Sequence, residues 1–217
     1  MSNPPQHLSR ESYLQAAVEL LRPVFKTAGH EIPPIHVSTG WPHARGTAAK
    51  NRSLGQAWAN VASADGKCHI FISPWLGGAL HIDANDCCGV LPVLAHEVVH
   101  AVVGIEAKHG AIFRKLALAI GLEGKMTSTH AGPKLMEHLK SMLPLLGEYP
   151  HAKLDPKLSG VKKQGTRMVK CECPSCSYTV RTTRKWLELG APRCPQNHGP
   201  MKFEMPDEDE GGDEGEE

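Results

Sequence analysis

No apolar run in the 217 residues approaches the roughly 18 needed to span a bilayer as a helix, so no membrane span is expected. The opening Met1-Ser2-Asn3-Pro4-Pro5 lacks a basic segment followed by an apolar one, so no secretory signal is expected either. No internal repeat is evident. The seven cysteines are odd in number, and a cytoplasmic chain seldom keeps disulfides, so their clustering points to metal rather than to cross-links. A soluble, cytoplasmic protein without membrane contact is the expectation. Basic residues are missing from Asp207 to Glu217, where eight acids stand; such a tail cannot bury apolar surface and should be disordered. Setting it aside leaves 24 Lys+Arg against 15 Asp+Glu, so a whole-chain charge of +1 conceals a body of +9. A basic body with an acidic tail is compatible with nucleic-acid contact.

Apolar residues at helical spacing (Leu14, Ala17, Val18, Leu21, Phe25) predict a helix over 10–28, with Ser9 as its cap, Ser12 as the alternative, and Gly29 at its end. Ile35 to Ser38 is a strand candidate. Leu54 to Ala62 and Cys68 to Ser73 are two more, with Ser63-Ala64-Asp65-Gly66 as a hairpin turn between them. Leu91, Leu94, Ala95, Val98, Val99, Val102 and Val103 give the next helix a wide apolar face, with Pro92 in its first turn and Gly104 near its end. Further helices are expected over 111–120, stopped by Gly121, and over about 133–143, stopped by Pro144. The boundaries read as a domain over 1–149, a linker over 150–168, a cysteine module over 169–205 and the acidic tail over 206–217. Cys68, Cys87 and Cys88 are expected to be buried thiols.

Within the apolar helix stands His96-Glu97-Val98-Val99-His100. A spacing of four puts both imidazoles on one face, one turn apart, where two nitrogens can bind one zinc ion. Glu97 is offset by about 100° and lies beside the metal, where it can take a proton from a bound water. With 13 His and 16 Glu in the chain, the pattern should arise by chance roughly 0.05 times. A catalytic zinc takes a third protein ligand, for which Glu106, His109, Glu123 and His130 are downstream candidates. His109 is preferred, because Gly104 and Gly110 let the backbone turn back toward the metal, whereas Glu106 would lie on the wrong side of the helix. Trp41 and Trp58 are candidates for a substrate groove or for buried packing.

Cys171-Glu172-Cys173-Pro174-Ser175-Cys176 is followed, with 17 residues between Cys176 and Cys194, by Cys194-Pro195-Gln196-Asn197-His198. That spacing reads as a structural zinc site of Cys173, Cys176, Cys194 and His198, with Cys171 a possible substitute for Cys173. Residues 178–181 and 185–187 can form the hairpin of a zinc ribbon. From Val161 to Met205 there are nine Lys/Arg and three Asp/Glu. Arg181, Arg184, Lys185, Tyr178 and Trp186 then make either a surface for single-stranded DNA or, with Trp186 inward, a small core under solvated charges.

Leu94-Ala95-His96-Glu97-Val98-Val99-His100-Ala101, with His109-Gly110-Ala111-Ile112-Phe113, resembles the SprT-like zinc metallopeptidases of bacterial and phage type. The resemblance covers roughly residues 10–145 and extends to a C-terminal zinc ribbon. It implies an α+β fold, a minimal zincin with helices on a small sheet, whose edge strand near Ile70–Ser73 receives an extended substrate. It also implies His96, His100 and His109 as ligands of a catalytic zinc, and Glu97 as general base. The activity implied is that of an endopeptidase on DNA-associated proteins, as in DNA–protein crosslink repair, in a bacterial cell or phage-infected host. The alternatives are a nucleic-acid-binding transcription or genome-maintenance factor with a structural zincin core, and a processing peptidase with a protein partner only. The sequence specifies no oligomeric state.

Overall fold

The computed structural model describes residues 7–48, 50–80, 89–158 and 168–205. The expectations for Cys87, Cys88, the acidic tail and linker residues 159–167 lie outside these. The chain divides into two compact units, Met1–Ser159 and Gly160–Glu217. Both helices and small sheets are present, an α+β class. Among the described residues no helix is long and apolar enough to cross a membrane.

The first unit opens with α1 (Arg10–Thr27). Ser9 Oγ accepts from the Ser12 N–H, and the Ser12 hydroxyl returns the contact to the Ser9 N–H, satisfying two of the helix's orphan donors. Its stripe of Tyr13, Leu14, Ala17, Val18, Leu21 and Phe25 is wholly buried. Three strands follow: β1 (Ile35–Thr39), β2 (Gly55–Trp58) and β3 (Cys68–Ile72), in the order β1-β3-β2. β3 runs parallel to β1 and antiparallel to β2. It is therefore central, not an edge. The substrate strand expected near Ile70–Ser73 is corrected on this ground: Ile70 and Ile72 face the core and both ladders of β3 are used, so the edge strand that packs against the helix bearing His96 and His100 is β2. The turn between β2 and β3 is also longer than the expected hairpin, because a 3-10 turn at Asn60–Ala62 intervenes.

α2 (Val90–Val103) is the central element. Ten of its 14 residues are buried, so it is apolar nearly all round, as a helix inside a core must be. It packs on β2 and β3, α1 and the next helix. Each large apolar side chain it buries contributes roughly 1.5–3 kcal/mol. Pro92 sits in the first turn, where a missing N–H costs nothing. Gly104 ends the helix at φ +89°, a conformation that L side chains rarely adopt, and the chain turns through Ile105–Ala107 into α3 (Ala111–Ala119).

A hairpin, β4 (Leu122–Lys125) and β5 (Ser128–Ala131), follows in a stretch for which the sequence pattern predicts no element. α4 (Pro133–Leu146) runs past Pro144, contrary to the expected stop. The carbonyl that Pro144 leaves unpaired belongs to exposed Lys140, while Leu146 beyond it is buried and holds the last turn down. Residues 150–158, expected as the start of the linker, are tied to this unit. The Leu154 N–H donates to the Pro74 carbonyl at 2.9 Å, Arg10 donates to the Ala152 carbonyl, and the Lys153 ammonium lies 3.6 Å above the Trp75 ring.

In the second unit, β6 (Val169–Glu172) pairs with β7 (Thr179–Thr182) on one side and β8 (Lys202–Phe203) on the other. Residues 185–187, expected in the ribbon hairpin, lie instead in the single-turn helix α5 (Arg184–Leu187), which points Leu187 into the core with Val169, Cys171 and Met201.

Candidate functional site

α2 presents His96 and His100 one turn apart, and the turn after Gly104 brings His109 back to them. The His96 and His100 Nε2 atoms each lie 3.2 Å from His109 Nε2. The Phe113 ring, fully buried one turn into α3, is the shared floor of the cluster, with centroids 5.0, 4.4 and 5.0 Å from His96, His100 and His109. The other candidates for the third position, Glu106, Glu123 and His130, are exposed and stand outside the group.

His96, His100 and His109 form a group that could hold a metal ion. Burial lowers all three imidazole pKa values, assisted by mutual proximity for His96 and His100: His96 to about 3, His100 to about 4, and His109 in the same direction. All three rings are therefore neutral at physiological pH, the ligating form. Thr129 Oγ1 lies 2.8 Å from His96 Nδ1 and takes its hydrogen when Nε2 presents a lone pair. With the three Nε2 atoms facing one another, the rings could hold one metal ion between them. Nitrogens about 2.05 Å from a tetrahedral ion stand about 3.3 Å apart, close to the separations observed.

Glu97 lies beside the cluster and is 6% exposed. Burial pushes its carboxyl up to about 8, against an opposing hydrogen bond from the Ala57 backbone N–H. β2 thus lies against the carboxylate, and it can do so because Gly55 has no side chain. A Cβ there would stand 2.5 Å from Glu97 Oε1, 2.7 Å from its Cγ and 2.8 Å from Val93 Cγ1. A cleft of about 820 Å³ opens over these groups, walled by residues 51–57 and by Lys125, Thr127, Ser128 and Thr129 of the β4–β5 hairpin.

A second group of possible metal ligands lies in the other unit: Cys173, Cys176, Cys194 and His198. Cys176 Sγ and Cys194 Sγ are 3.5 Å apart, and His198 Nδ1 is 3.7 Å from both Cys173 Sγ and Cys194 Sγ. No disulfide bonds these sulfurs, and the spacings approach the roughly 3.5–3.8 Å edges of a mixed sulfur–nitrogen tetrahedron around one ion. Burial would raise the Cys173 thiol, but the Ser175 and Cys176 backbone N–H groups and the His198 ring outweigh it and bring it down to about 6, toward the ligating thiolate. Cys171 is not in the group. It is buried in the small core, opposite Val180 and Phe203 across the sheet. Trp186 and Tyr178 are 57% and 47% exposed, so the reading that put Trp186 inside is corrected: Leu187 and Met201 already fill that core. Trp58, at 40% exposed, lies on the outer sheet rather than in buried packing, and neither it nor Trp41 lines the cleft.

Thr129 and Gly55 were not foreseen. The Gly121–Gly124 punctuation before a β-branched residue was an available sign of the hairpin carrying Thr129. No local pattern marks Gly55, whose role depends on a helix 40 residues away. The chain matches no protein-family model, no curated protein and no solved structure.

Proposed function

We propose that the first unit is a zinc-dependent endopeptidase of the SprT-like, minimal-zincin kind, acting on DNA-associated proteins in the cytoplasm. The observation that carries the reading is the convergence of three neutral imidazole nitrogens beside a buried carboxylic acid, at the foot of a cleft bordered by an edge strand. His96, His100 and His109 would hold the metal, and Cys173, Cys176, Cys194 and His198 a second, structural one. Zinc held at the histidines would supply a Lewis acid toward a peptide carbonyl and a positive charge that favours ionised water and ionised Glu97. The outer edge of β2 pairs with an extended peptide and sets its carbonyl over the site. Glu97 takes a proton from the attacking water on a carboxylate oxygen and delivers it to the departing amine nitrogen. Gly55 and the Ala57 N–H hold that carboxylate in place. Phe113 and Thr129 keep the rings in the orientation that leaves their Nε2 atoms inward.

The DNA component rests on the second unit, where exposed Trp186 and Tyr178 accompany Arg181 and Lys185, the rings and cations of a single-strand binding surface. The same rings favour a second reading, a nucleic-acid-binding factor whose histidine site is structural. Zinc-loaded protein and Glu97→Ala, each with and without single-stranded DNA and a DNA-binding protein as substrate, separate the two. Cleavage by the parent alone supports the peptidase. DNA binding by both proteins with cleavage by neither leaves the binding factor.

A further inference from the structure

The cleft above Glu97 is lopsided in charge. Arg52, Lys108 and Lys125 line it, and Glu97 is the only carboxylate among its lining residues. Glu97 lies at the bottom against Gly55, and none of the three cations forms an ion pair with a described residue. They come from separate pieces of chain: the segment entering β2, the turn before His109 and the end of β4. Arg52 is held rigidly. Its guanidinium carbon is 3.6 Å above the Trp75 ring, its Nε donates to the Ala48 carbonyl at 2.9 Å, and one of its terminal nitrogens is buried without a hydrogen-bond partner. Lys108 stands at φ +46°, so a side chain other than glycine is kept at a backbone position that disfavours one. Lys125 is exposed on the hairpin, opposite Ser128. Gathering like charges around one cleft opposes folding, and an entering anion offsets it.

We infer that this cleft recognises acidic peptide segments, with Asp or Glu side chains on either side of the cleaved bond engaged by Arg52, Lys108 and Lys125. The inference rests on the peptidase reading and names its substrate class. A peptide fits better than a nucleic acid, because the outer edge of β2, apart from the Ala57 N–H that meets Glu97, offers backbone groups that an extended peptide completes and a phosphodiester does not. The cations are also interrupted by Leu54, Val93 and Ile105, which suit intervening apolar side chains rather than a run of phosphates. Lys- or Arg-rich segments meet like charge and are disfavoured, which gives the cleft discrimination as well as affinity.

The test uses the full-length, zinc-loaded Glu97→Gln protein and three fluorescein-labelled peptides of one sequence, with the variable positions all Glu, all Gln or all Lys, read by fluorescence anisotropy. At low salt the Glu peptide should bind about tenfold tighter than the Gln peptide and the Lys peptide weakest, with the preference shrinking in high salt. Lys108→Gln and Lys125→Gln, both at exposed positions, should each lower the Glu-over-Gln ratio roughly two- to fivefold. Equal binding of the three peptides overturns the inference. So does a Glu-over-Gln ratio that neither lysine change lowers, since the inference requires both lysines to contribute. Displacement of the Glu peptide by oligo-dT, lost in the lysine variants, would put nucleic acid in the cleft instead. Cleavage of all three peptides at equal kcat/KM by the parent sinks this inference but leaves the peptidase. Selective binding with no cleavage by the parent does the reverse.

Discussion

Gly55→Ala is the sharpest probe of how β2 and α2 build the site. A Cβ at residue 55 would lie 2.5 Å from Glu97 Oε1 and 2.7 Å from its Cγ, where ordinary contact begins near 3.4 Å, so something must move by about 0.7–0.9 Å. Val93 Cγ1, at 2.8 Å, blocks the other direction. Overpacking of this size costs roughly 1–3 kcal/mol of stability. A displacement of nearly 1 Å at a reacting group costs on the order of 100-fold in turnover. The three histidines are not touched by the new methyl, so metal content should stay at parental level. Urea unfolding, metal analysis and peptide cleavage by Gly55→Ala would be measured beside Gln56→Ala as a neighbouring control. In a Glu97→Ala background the methyl meets no carboxylate, so its stability cost should fall by at least half, the residue being the Val93 contact. Parental turnover in Gly55→Ala, or an unchanged cost in the Glu97→Ala background, would refute the claim that Gly55 acts through Glu97.

Three further outcomes are expected. Thr129→Val removes the hydroxyl beside His96 Nδ1 and should weaken metal binding at the histidine site about 10- to 100-fold with the melting curve little changed; competition with a chromogenic chelator reads it, and parental affinity would dismiss the hydroxyl. In the metal-free protein, unfolded histidines take up protons below pH 6.5 while the folded ones, with lowered pKa values, do not, so stability should fall with acidification. Folded Glu97, raised to about 8, keeps a proton that the unfolded state releases above about 4.5, so stability should also fall from pH 6.5 toward 8. Denaturation at a series of pH values in chelator should therefore peak near pH 6.5; a profile still rising at pH 8 would contradict the Glu97 assignment. Cys194→Ser should collapse the second unit, whose buried core is little more than Val169, Leu187 and Met201 beside the ligands, while the first unit keeps its melting transition; amide exchange resolves the two.

Much of this was legible in the chain. The stripe of α1, the Ser9 cap, the apolar run of α2 and the spacings of His96, Glu97 and His100 and of Cys173 and Cys176 are local patterns, set by 3.6-residue periodicity and by which neighbours a short stretch can bring together. His109 was readable from the glycines around it, since these permit a reversal of the backbone. Other features were settled by partners far away in sequence. β3 became the central strand because a parallel neighbour, β1, and an antiparallel one, β2, both found it. Pro144 stayed inside α4 because burial of Leu146 outweighs one lost hydrogen bond at an exposed carbonyl. Trp186 was turned outward because other side chains already filled the small core. Most of all, the surroundings of Glu97 are tertiary: its spacing from the histidines belongs to the helix, but its burial, its raised pKa, the Ala57 N–H and the space left by Gly55 come from a strand 40 residues earlier. Residue order determines which groups a helix can offer together; only the packing of one element on another determines how dry, how crowded and how charged their surroundings are.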